Sequence, residues 1–190
     1  MTTAGIVLAV GKSRRFGSDK AFAVHEGRFF YEKAVDALSA VTGTIIMAAR
    51  KEFIHKITGD VLVIEDLDEV SGLGPLAGIY SAMEAVDADA YIVLPCDMPY
   101  TEGIHLSRLC ALQGQEDILL VEDGGRMQPF PGIYKGSVKP LIKELLSARK
   151  LRMSDLYELV QVRCVQSKAV SSSPEQVFRN INTPQGKEWG

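Results

Sequence analysis

The first two thirds of the sequence alternate short apolar runs with amphipathic stretches, and this alternation constrains the fold more than any other feature. The apolar runs are rich in Ile, Val and Leu and predict strands buried on both faces, as in a parallel sheet. They are Ile6–Val10, Thr44–Ala49, Val61–Ile64, Tyr91–Leu94 and Ile118–Val121. The intervening stretches have apolar residues at helical spacing and predict crossover helices over Phe30–Leu38, Glu52–Ile57, Leu76–Ala85 and Ile104–Leu112. The sequence therefore predicts a three-layer, Rossmann-like α/β fold with a mostly parallel sheet.

The last third of the chain has a different pattern, which predicts that the sheet is mixed. Asp123-Gly124-Gly125 is typical of a tight turn, and the segment Met127–Tyr134 behind it contains Pro129 and Pro131. Because proline lacks the N–H that a strand ladder needs, we expect no regular central strand in this segment. Beyond it, the pattern predicts two helices and then one or two edge strands, over Val138–Leu146, Met153–Leu159 and Val160–Val170 respectively.

Composition limits the class of protein. With 190 residues, of which 46% are hydrophobic, the chain can bury one substantial core, and we expect a single domain over residues 1–190. The net charge of −3 excludes the overall basic field that non-specific nucleic-acid binding requires, so we expect no nucleic-acid partner. Cys96, Cys110 and Cys164 show no C-x-x-C pairing, which is typical of a cytoplasmic protein. The first apolar run is too short for a signal sequence or a membrane span.

A glycine-rich, basic segment follows the first predicted strand. The sequence from Leu8 to Lys20, LAVGKSRRFGSDK, combines two glycines with four Lys or Arg residues. Glycine lets backbone N–H groups approach an oxyanion, and the cations compensate the charge of a triphosphate. A Walker A loop is excluded because Ile6 stands where its first glycine belongs, and a G-x-G-x-x-G motif is excluded because a third glycine is absent. The segment therefore favours a nucleoside triphosphate site over a solvated basic turn.

The same segment resembles the L-A-G-G-x-S-x-R-F-G-x-D-K signature of the molybdenum cofactor guanylyltransferase family. Three later segments are also similar to motifs of that family. Gly74–Ile79 resembles its G-P-L-A-G element, Pro95–Pro99 its C-D-x-P element, and Asn180–Pro184 its N-I-N-T-P element. The four motifs occur in the right order and span nearly the whole chain, so the resemblance implies the nucleotidyltransferase fold of that family.

The resemblance implies transfer of GMP from GTP to the terminal phosphate of molybdopterin (the molybdenum cofactor), with release of pyrophosphate. Catalysis would then come from alignment and charge stabilisation, and Arg15, Lys20 and Asp97 are the candidate catalytic residues. Asp97 ends a predicted strand and is the candidate ligand of Mg²⁺, the one expected cofactor. The candidate nucleotide-binding residues are Leu8, Ala9, Val10, Gly11, Lys20, Asp66 and Asp97.

The acceptor side is implied by the resemblance alone. Asn180 and Asn182 are the candidate acceptor-binding residues, so residues from about 1 to 100 would bind the nucleotide and those from about 101 to 190 the acceptor.

The carboxylate of Asp66 could accept paired hydrogen bonds from guanine or a hydrogen bond from the ribose, and the sequence does not decide between them. Proteins that deliver or receive the pterin are consistent with the family, although the sequence identifies none.

Two positions depart from the family pattern. Val10 replaces the second glycine of L-A-G-G, and its β-branched side chain narrows the room for a base or phosphate. Ala49 precedes Arg50 where the family commonly has Asn, which removes one guanine contact and leaves selectivity among triphosphates open.

Three alternatives therefore stay open, namely a related cytidylyltransferase, a sugar-phosphate nucleotidyltransferase and an inactive scaffold that binds nucleotide. The first two enzymes are less similar in the three later motifs. The intact Arg15, Lys20 and Asp97 argue against the scaffold.

Overall fold

A seven-stranded sheet forms the centre of the protein. The computed structural model describes residues 1–9, 20–49 and 51–181. The strand order of this sheet is β5-β4-β1-β6-β8-β7-β9, and within its described strands β8 pairs antiparallel with β6 and β7 while the other pairs are parallel. Two further strands, β2 and β3, form a small hairpin. The strands are β1 Thr3–Leu8, β2 Val24–His25, β3 Arg28–Phe29, β4 Ile45–Ala48, β5 Leu62–Ile64, β6 Ala90–Pro95, β7 Ile118–Asp123, β8 Arg126–Lys135 and β9 Val162–Gln166.

Helices cover both faces of the sheet, which confirms the predicted three-layer α/β architecture. The α-helices are α1 Phe30–Ser39, α2 Pro75–Ala85, α3 Gly103–Ala111, α4 Lys139–Ser147, α5 Met153–Tyr157, α6 Ser167–Val170 and α7 Pro174–Val177. One apolar core lies between the sheet and α1, α3, α6 and α7, and a second lies between the sheet and α2, α4 and α5. Among the described helices, none combines the length and apolarity needed to cross a membrane.

The segment predicted not to form a regular central strand is β8, which lies between β6 and β7. Its pairing with β7 shifts register between Leu120 and Val121, whose partners on β8 are Gly132 and Gln128. Residues 129–131, which include both prolines, fall in that gap and need no ladder hydrogen bond. The mixed sheet is confirmed, and the segment is an interior strand whose pairing is interrupted at the prolines rather than a regular one.

Three other local predictions differ from the structure, one of them only in part. The span Val160–Val170 contains one edge strand, β9, as predicted, but its last four residues form the short helix α6. The connection before β5 forms a 3₁₀ helix over Lys51–Lys56 rather than an α-helix. β5 itself is an edge strand with Leu62 46% exposed, so it is not buried on both faces as predicted.

Parallel pairing aligns the carboxyl ends of four strands at one edge of the sheet. Leu8 is paired with Ala48 on one side and Pro95 on the other, and Ala48 is paired with Ile64. The ladder continues past the strand ends, since the N–H of Cys96 donates to the carbonyl of Leu8. In open α/β sheets ligands bind at this edge, so the fold brings the ends of several predicted motifs into one place.

Candidate active site

Leu8 and Ala9 end the central strand of this edge. Both are buried, at 7% and 5% exposure, and the N–H of Ala9 donates to the carbonyl of Ala48. Their side chains belong to opposite cores, as expected for successive strand residues. The backbone at this point is therefore fixed between β4 and β6, which gives the glycine-rich segment a rigid origin.

Lys20, at the other end of that segment, lies against Asp97. The Nζ atom of Lys20 donates to Oδ2 of Asp97 at 2.7 Å, and the two side chains are only 12% and 22% exposed. Lys20 begins a 3₁₀ helix over Lys20–Phe22, and Asp97 follows β6 by two residues. The structure thus brings together two residues that the sequence analysis assigned to one site.

The second oxygen of Asp97 gives a test of the metal assignment. Oδ1 of Asp97 is buried, and no described residue forms a hydrogen bond with it. A buried carboxylate oxygen without a partner is costly, and a cation would satisfy it. Within the described part of the chain, no group of three or more His, Cys, Asp or Glu side chains could hold a metal. A single carboxylate fits Mg²⁺, which takes one or two carboxylates together with water and phosphate oxygens.

Asp66 follows β5 at the same edge and is half-buried. Burial raises the pKa of Asp66, and the hydrogen bond from the Gly72 backbone opposes this effect. Oδ1 of Asp66 is also buried and lacks a hydrogen-bond partner among the described residues. This carboxylate therefore has an unused acceptor for a ligand N–H or O–H group.

Two glycines of the G-P-L-A-G element let α2 approach this edge closely. Gly74 has φ +88°, a conformation that favours glycine, and it places Pro75 at the first position of α2. A Cβ added to Gly78 would lie 3.0 Å from Cδ2 of Leu8 and 3.7 Å from Oδ1 of Asp66. The element therefore has a packing role, which is to bring α2 against both Leu8 and Asp66.

The C-terminal segment returns to Asp97. The N–H of Ile181 donates to the carbonyl of Asp97 at 2.9 Å, and the buried hydroxyl of Thr101 donates to the carbonyl of Val177, also at 2.9 Å. Asn180, directly before Ile181, is exposed. The structure thus brings the start of the N-I-N-T-P element next to the C-D-x-P element, as a shared site would require.

Four candidate residues, Val10, Gly11, Arg15 and Asn182, lie outside the described residues, as does Arg50.

Among the described residues, the sequence motifs did not indicate Thr101 or Ser81. Ser81 is 2% exposed, and its hydroxyl oxygen accepts a hydrogen bond from the N–H of Leu67, next to Asp66. The sequence does contain a signal for Ser81, since it is a polar residue within an otherwise apolar helix. A buried hydroxyl in such a position is expected to form a hydrogen bond.

Similar sequences include relatives that are named as guanylyltransferases of the molybdenum cofactor. Residues 5–162 match the family model described as MobA-like NTP transferase domain. A relative from Geobacillus sp. (strain WCH70) is 38% identical over 185 residues, covering 95% of this chain and 94% of the relative. Another, from Bacillus subtilis (strain 168), is 38% identical over 188 residues, covering 96% and 92%. Both carry the name "Probable molybdenum cofactor guanylyltransferase".

Solved structures with the same fold include nucleotidyltransferases. Molybdopterin-guanine dinucleotide biosynthesis protein A from Archaeoglobus fulgidus is similar with a TM-score of 0.79 at 21% identity, covering 95% of this chain and 93% of that one. A Mycobacterium tuberculosis H37Rv protein in complex with manganese is similar with a TM-score of 0.64 at 17% identity, covering 87% of each chain. At these identities the likeness establishes the fold.

Proposed function

Because this chain belongs to the family with a MobA-like NTP transferase domain, we propose that it is a molybdenum cofactor guanylyltransferase. It transfers GMP from GTP to molybdopterin and releases pyrophosphate. The observation that carries the site assignment is the contact between Lys20 and Asp97 at 2.7 Å, beside the buried end of β1. This contact supports the proposal because it joins a cation to a carboxylate close to the strand end at which the glycine-rich segment begins.

The reaction balances as one displacement at phosphorus. An oxygen of the acceptor's terminal phosphate attacks the α-phosphorus of GTP, the bond from that phosphorus to the α–β bridging oxygen breaks, and pyrophosphate leaves with the electron pair. Lys20 and Arg15 stabilise the negative charge that develops on the α-phosphate and the leaving group. To do so, the ammonium of Lys20 exchanges Asp97 for a phosphate oxygen.

The same exchange frees the carboxylate of Asp97 for a divalent cation. We assign Mg²⁺ to Asp97 for two reasons. Oδ1 of Asp97 is buried and has no hydrogen-bond partner among the described residues, and a single protein carboxylate is sufficient for Mg²⁺ when water and phosphate oxygens complete its coordination. When bound, the ion would neutralise phosphate charge. Asp97 holds it at the end of β6, and the backbone bond from Ile181 fixes the peptide of Asp97.

Asp66 recognises the nucleotide on the other side of β1. Its unpartnered Oδ1 and the companion oxygen can accept two hydrogen bonds from the N1–H and N2–H groups of guanine. A single hydrogen bond from a ribose hydroxyl would satisfy the same oxygen, but it would not distinguish among bases. Guanine recognition is the assignment we adopt, because it gives the carboxylate a role in selectivity that Ala49 cannot supply.

The acceptor, molybdopterin, binds on the opposite side of Asp97, next to Asn180 and Asn182. The hydrogen bond from the N–H of Ile181 to the carbonyl of Asp97 supports this assignment, because Asn180 directly precedes Ile181. The assignment divides the single domain into a nucleotide half up to about residue 100 and an acceptor half after it. The cysteines Cys96, Cys110 and Cys164 are all free, which suits catalysis in the cytoplasm.

A calorimetric titration of the purified protein with GTP, CTP and ATP in the presence of Mg²⁺ tests this function. We expect binding of GTP at least about tenfold tighter than that of ATP or CTP, since a carboxylate that pairs with guanine rejects bases lacking both N–H groups. A preference for CTP would transfer the assignment to a cytidylyltransferase. Absence of binding to all three nucleotides would favour a scaffold protein.

A further inference from the structure

The loop between β5 and α2 carries Asp66 and is held by a buried serine of α2. The N–H of Leu67, the residue after Asp66, donates to the hydroxyl oxygen of Ser81 at 2.9 Å. Ser81 is 2% exposed, and it lies fourteen positions from Leu67 in the sequence. The bond therefore links the strand-end loop to a helix that is already packed against the sheet.

The surroundings of Ser81 make this bond more than incidental. Every residue of α2 from Leu76 to Met83 is buried, and its apolar members belong to one core. A hydroxyl inside such a helix costs free energy unless its polar atoms are used. The hydroxyl oxygen of Ser81 accepts from the N–H of Leu67, which belongs to the peptide bond between Asp66 and Leu67. The hydrogen bond therefore fixes the orientation of that peptide.

Contacts on the same helix face act on Asp66 from a second direction. Gly78 lies one turn before Ser81, and a Cβ at Gly78 would come within 3.7 Å of Oδ1 of Asp66. Within the loop, the N–H of Val70 donates to the carbonyl of Leu67, which makes the loop turn back on itself. Helix α2 thus provides both the open space beside the Asp66 carboxylate and the anchor for the Asp66 backbone.

We propose that Ser81 is a positioning residue for base selectivity, which holds Asp66 so that its carboxylate faces the nucleotide base. The assignment rests on the proposed function, in which Asp66 reads guanine. Ser81 itself does not touch the nucleotide; it acts through Leu67 and Asp66. Its loss would allow the Asp66 peptide to rotate, and the paired hydrogen bonds to guanine depend on the direction of the carboxylate.

The test compares Ser81→Ala with Tyr91→Phe. The hydroxyl of Tyr91 serves as the control, because it also accepts a hydrogen bond from a loop N–H, that of Ala88 at 2.9 Å, but at the opposite edge of the sheet; it further donates to the carbonyl of Val86 at 2.7 Å. Calorimetry with GTP and ATP in Mg²⁺ gives affinity and selectivity, thermal unfolding gives stability, and hydrogen exchange reports on the Leu67 amide. Ser81→Cys, which keeps the side-chain size but is a poor acceptor, serves as the second variant.

We expect Ser81→Ala and Ser81→Cys to weaken GTP binding about tenfold, with little change for ATP, and to speed exchange of the Leu67 amide. Turnover at saturating GTP should stay near the wild-type value, so the loss appears in KM. Tyr91→Phe, which loses two hydrogen bonds, should lower the unfolding temperature at least as much as the Ser81 variants and keep GTP selectivity. If both Ser81 variants keep full GTP selectivity, or if Tyr91→Phe loses it equally, the assignment of Ser81 is wrong. Wild-type protein without GTP preference would overturn the proposed base recognition, and the role of Ser81 with it.

Discussion

The ammonium of Lys20 donates a hydrogen bond of 2.7 Å to the carboxylate of Asp97, although 77 positions separate the two residues in sequence. The pair joins the end of the glycine-rich segment to the chain just after β6. In the proposed function, a phosphate oxygen takes the place of Asp97 beside Lys20, and Mg²⁺ takes the place of Lys20 beside Asp97. One ion pair would thus be replaced by two contacts between opposite charges.

Replacement of Asp97 by Asn should abolish turnover and leave the fold intact. The change removes the charge that we assign to Mg²⁺ while keeping the shape, so we expect the rate of pyrophosphate release to fall at least about a hundredfold. Asp87→Asn is the matched control, since Asp87 is exposed at the other end of β6. Normal turnover by a folded Asp97→Asn protein would contradict the metal assignment.

Replacement of Lys20 by Met should lower both the rate and the affinity for triphosphate. Because Lys20 donates to phosphate oxygens in the proposed mechanism, we expect kcat/KM for GTP to fall about a hundredfold. Steady-state kinetics compare Lys20→Met with Lys33→Met as the control. Lys33 also forms an ion pair, with Glu26 at 2.6 Å, but it is not a candidate site residue. Unchanged kinetics of Lys20→Met would show that the glycine-rich segment is not the phosphate site.

Replacement of Asp66 by Asn should have opposite effects on the stability of the protein and on its affinity for GTP. Burial raises the pKa of Asp66, so the folded chain binds this proton more readily than the unfolded chain, and ionised Asp66 lowers stability above the raised pKa. Asp66→Asn should therefore unfold at a higher temperature at neutral pH, and this difference should shrink as the pH falls through the raised pKa.

The same variant should bind GTP at least about tenfold more weakly, because Asn presents a donor to one of the guanine N–H groups. For the wild type, GTP affinity should fall on acidification through the raised pKa of Asp66. Calorimetry over a pH series, with thermal unfolding in parallel, checks both effects. A variant that is less stable at neutral pH and keeps GTP affinity would contradict the account.

Replacement of Gly78 by Ala should weaken nucleotide binding without unfolding the protein. The added methyl would lie 3.0 Å from Leu8, so the Leu8 side chain or the helix must shift at the edge of the site. We expect GTP affinity to fall about fivefold. Gly43→Ala is the control, because nothing lies within 4 Å of a Cβ there and it should leave affinity unchanged.

Replacement of Thr101 by Val should affect the acceptor rather than the nucleotide. It removes the buried hydrogen bond to Val177 that holds the segment before Asn180, at a cost of about 1 kcal/mol in stability. We expect KM for molybdopterin to rise and the Kd for GTP to stay the same. Thr42→Val, which removes a similar bond to the carbonyl of Thr3 at the opposite edge, should leave both constants unchanged.

Much of the fold could be predicted from sequence, because buried parallel strands are short and continuously apolar. Helices α1, α2 and α3 begin and end within one residue of the predicted bounds. The sequence predicted that Pro129 and Pro131 prevent a regular strand, but it could not show that β8 still lies in the sheet interior, because the register shift opposite Leu120 depends on how the strands pair. Likewise, the sequence does not show that helix α6 follows β9, because the segment is short and its apolar pattern fits neither a helix nor a strand clearly.

Less of the candidate site could be predicted. Motif similarity selected Lys20 and Asp97, and the structure confirms that they are in contact, whereas their catalytic roles remain predictions. The sequence could not show that Ile181 bonds to Asp97 or that Ser81 bonds to Leu67. Both bonds connect distant elements whose approach depends on how helices pack on the sheet.

The central claim is tested most directly by product formation. Purified protein is incubated with molybdopterin, Mg²⁺ and GTP, with CTP or ATP in parallel reactions, and the dinucleotide product and pyrophosphate are quantified. We predict that GTP gives the guanine dinucleotide and one pyrophosphate per product, with far lower yields from CTP and ATP. Efficient formation of a cytosine dinucleotide, or GTP binding without any transfer to molybdopterin, would contradict the account.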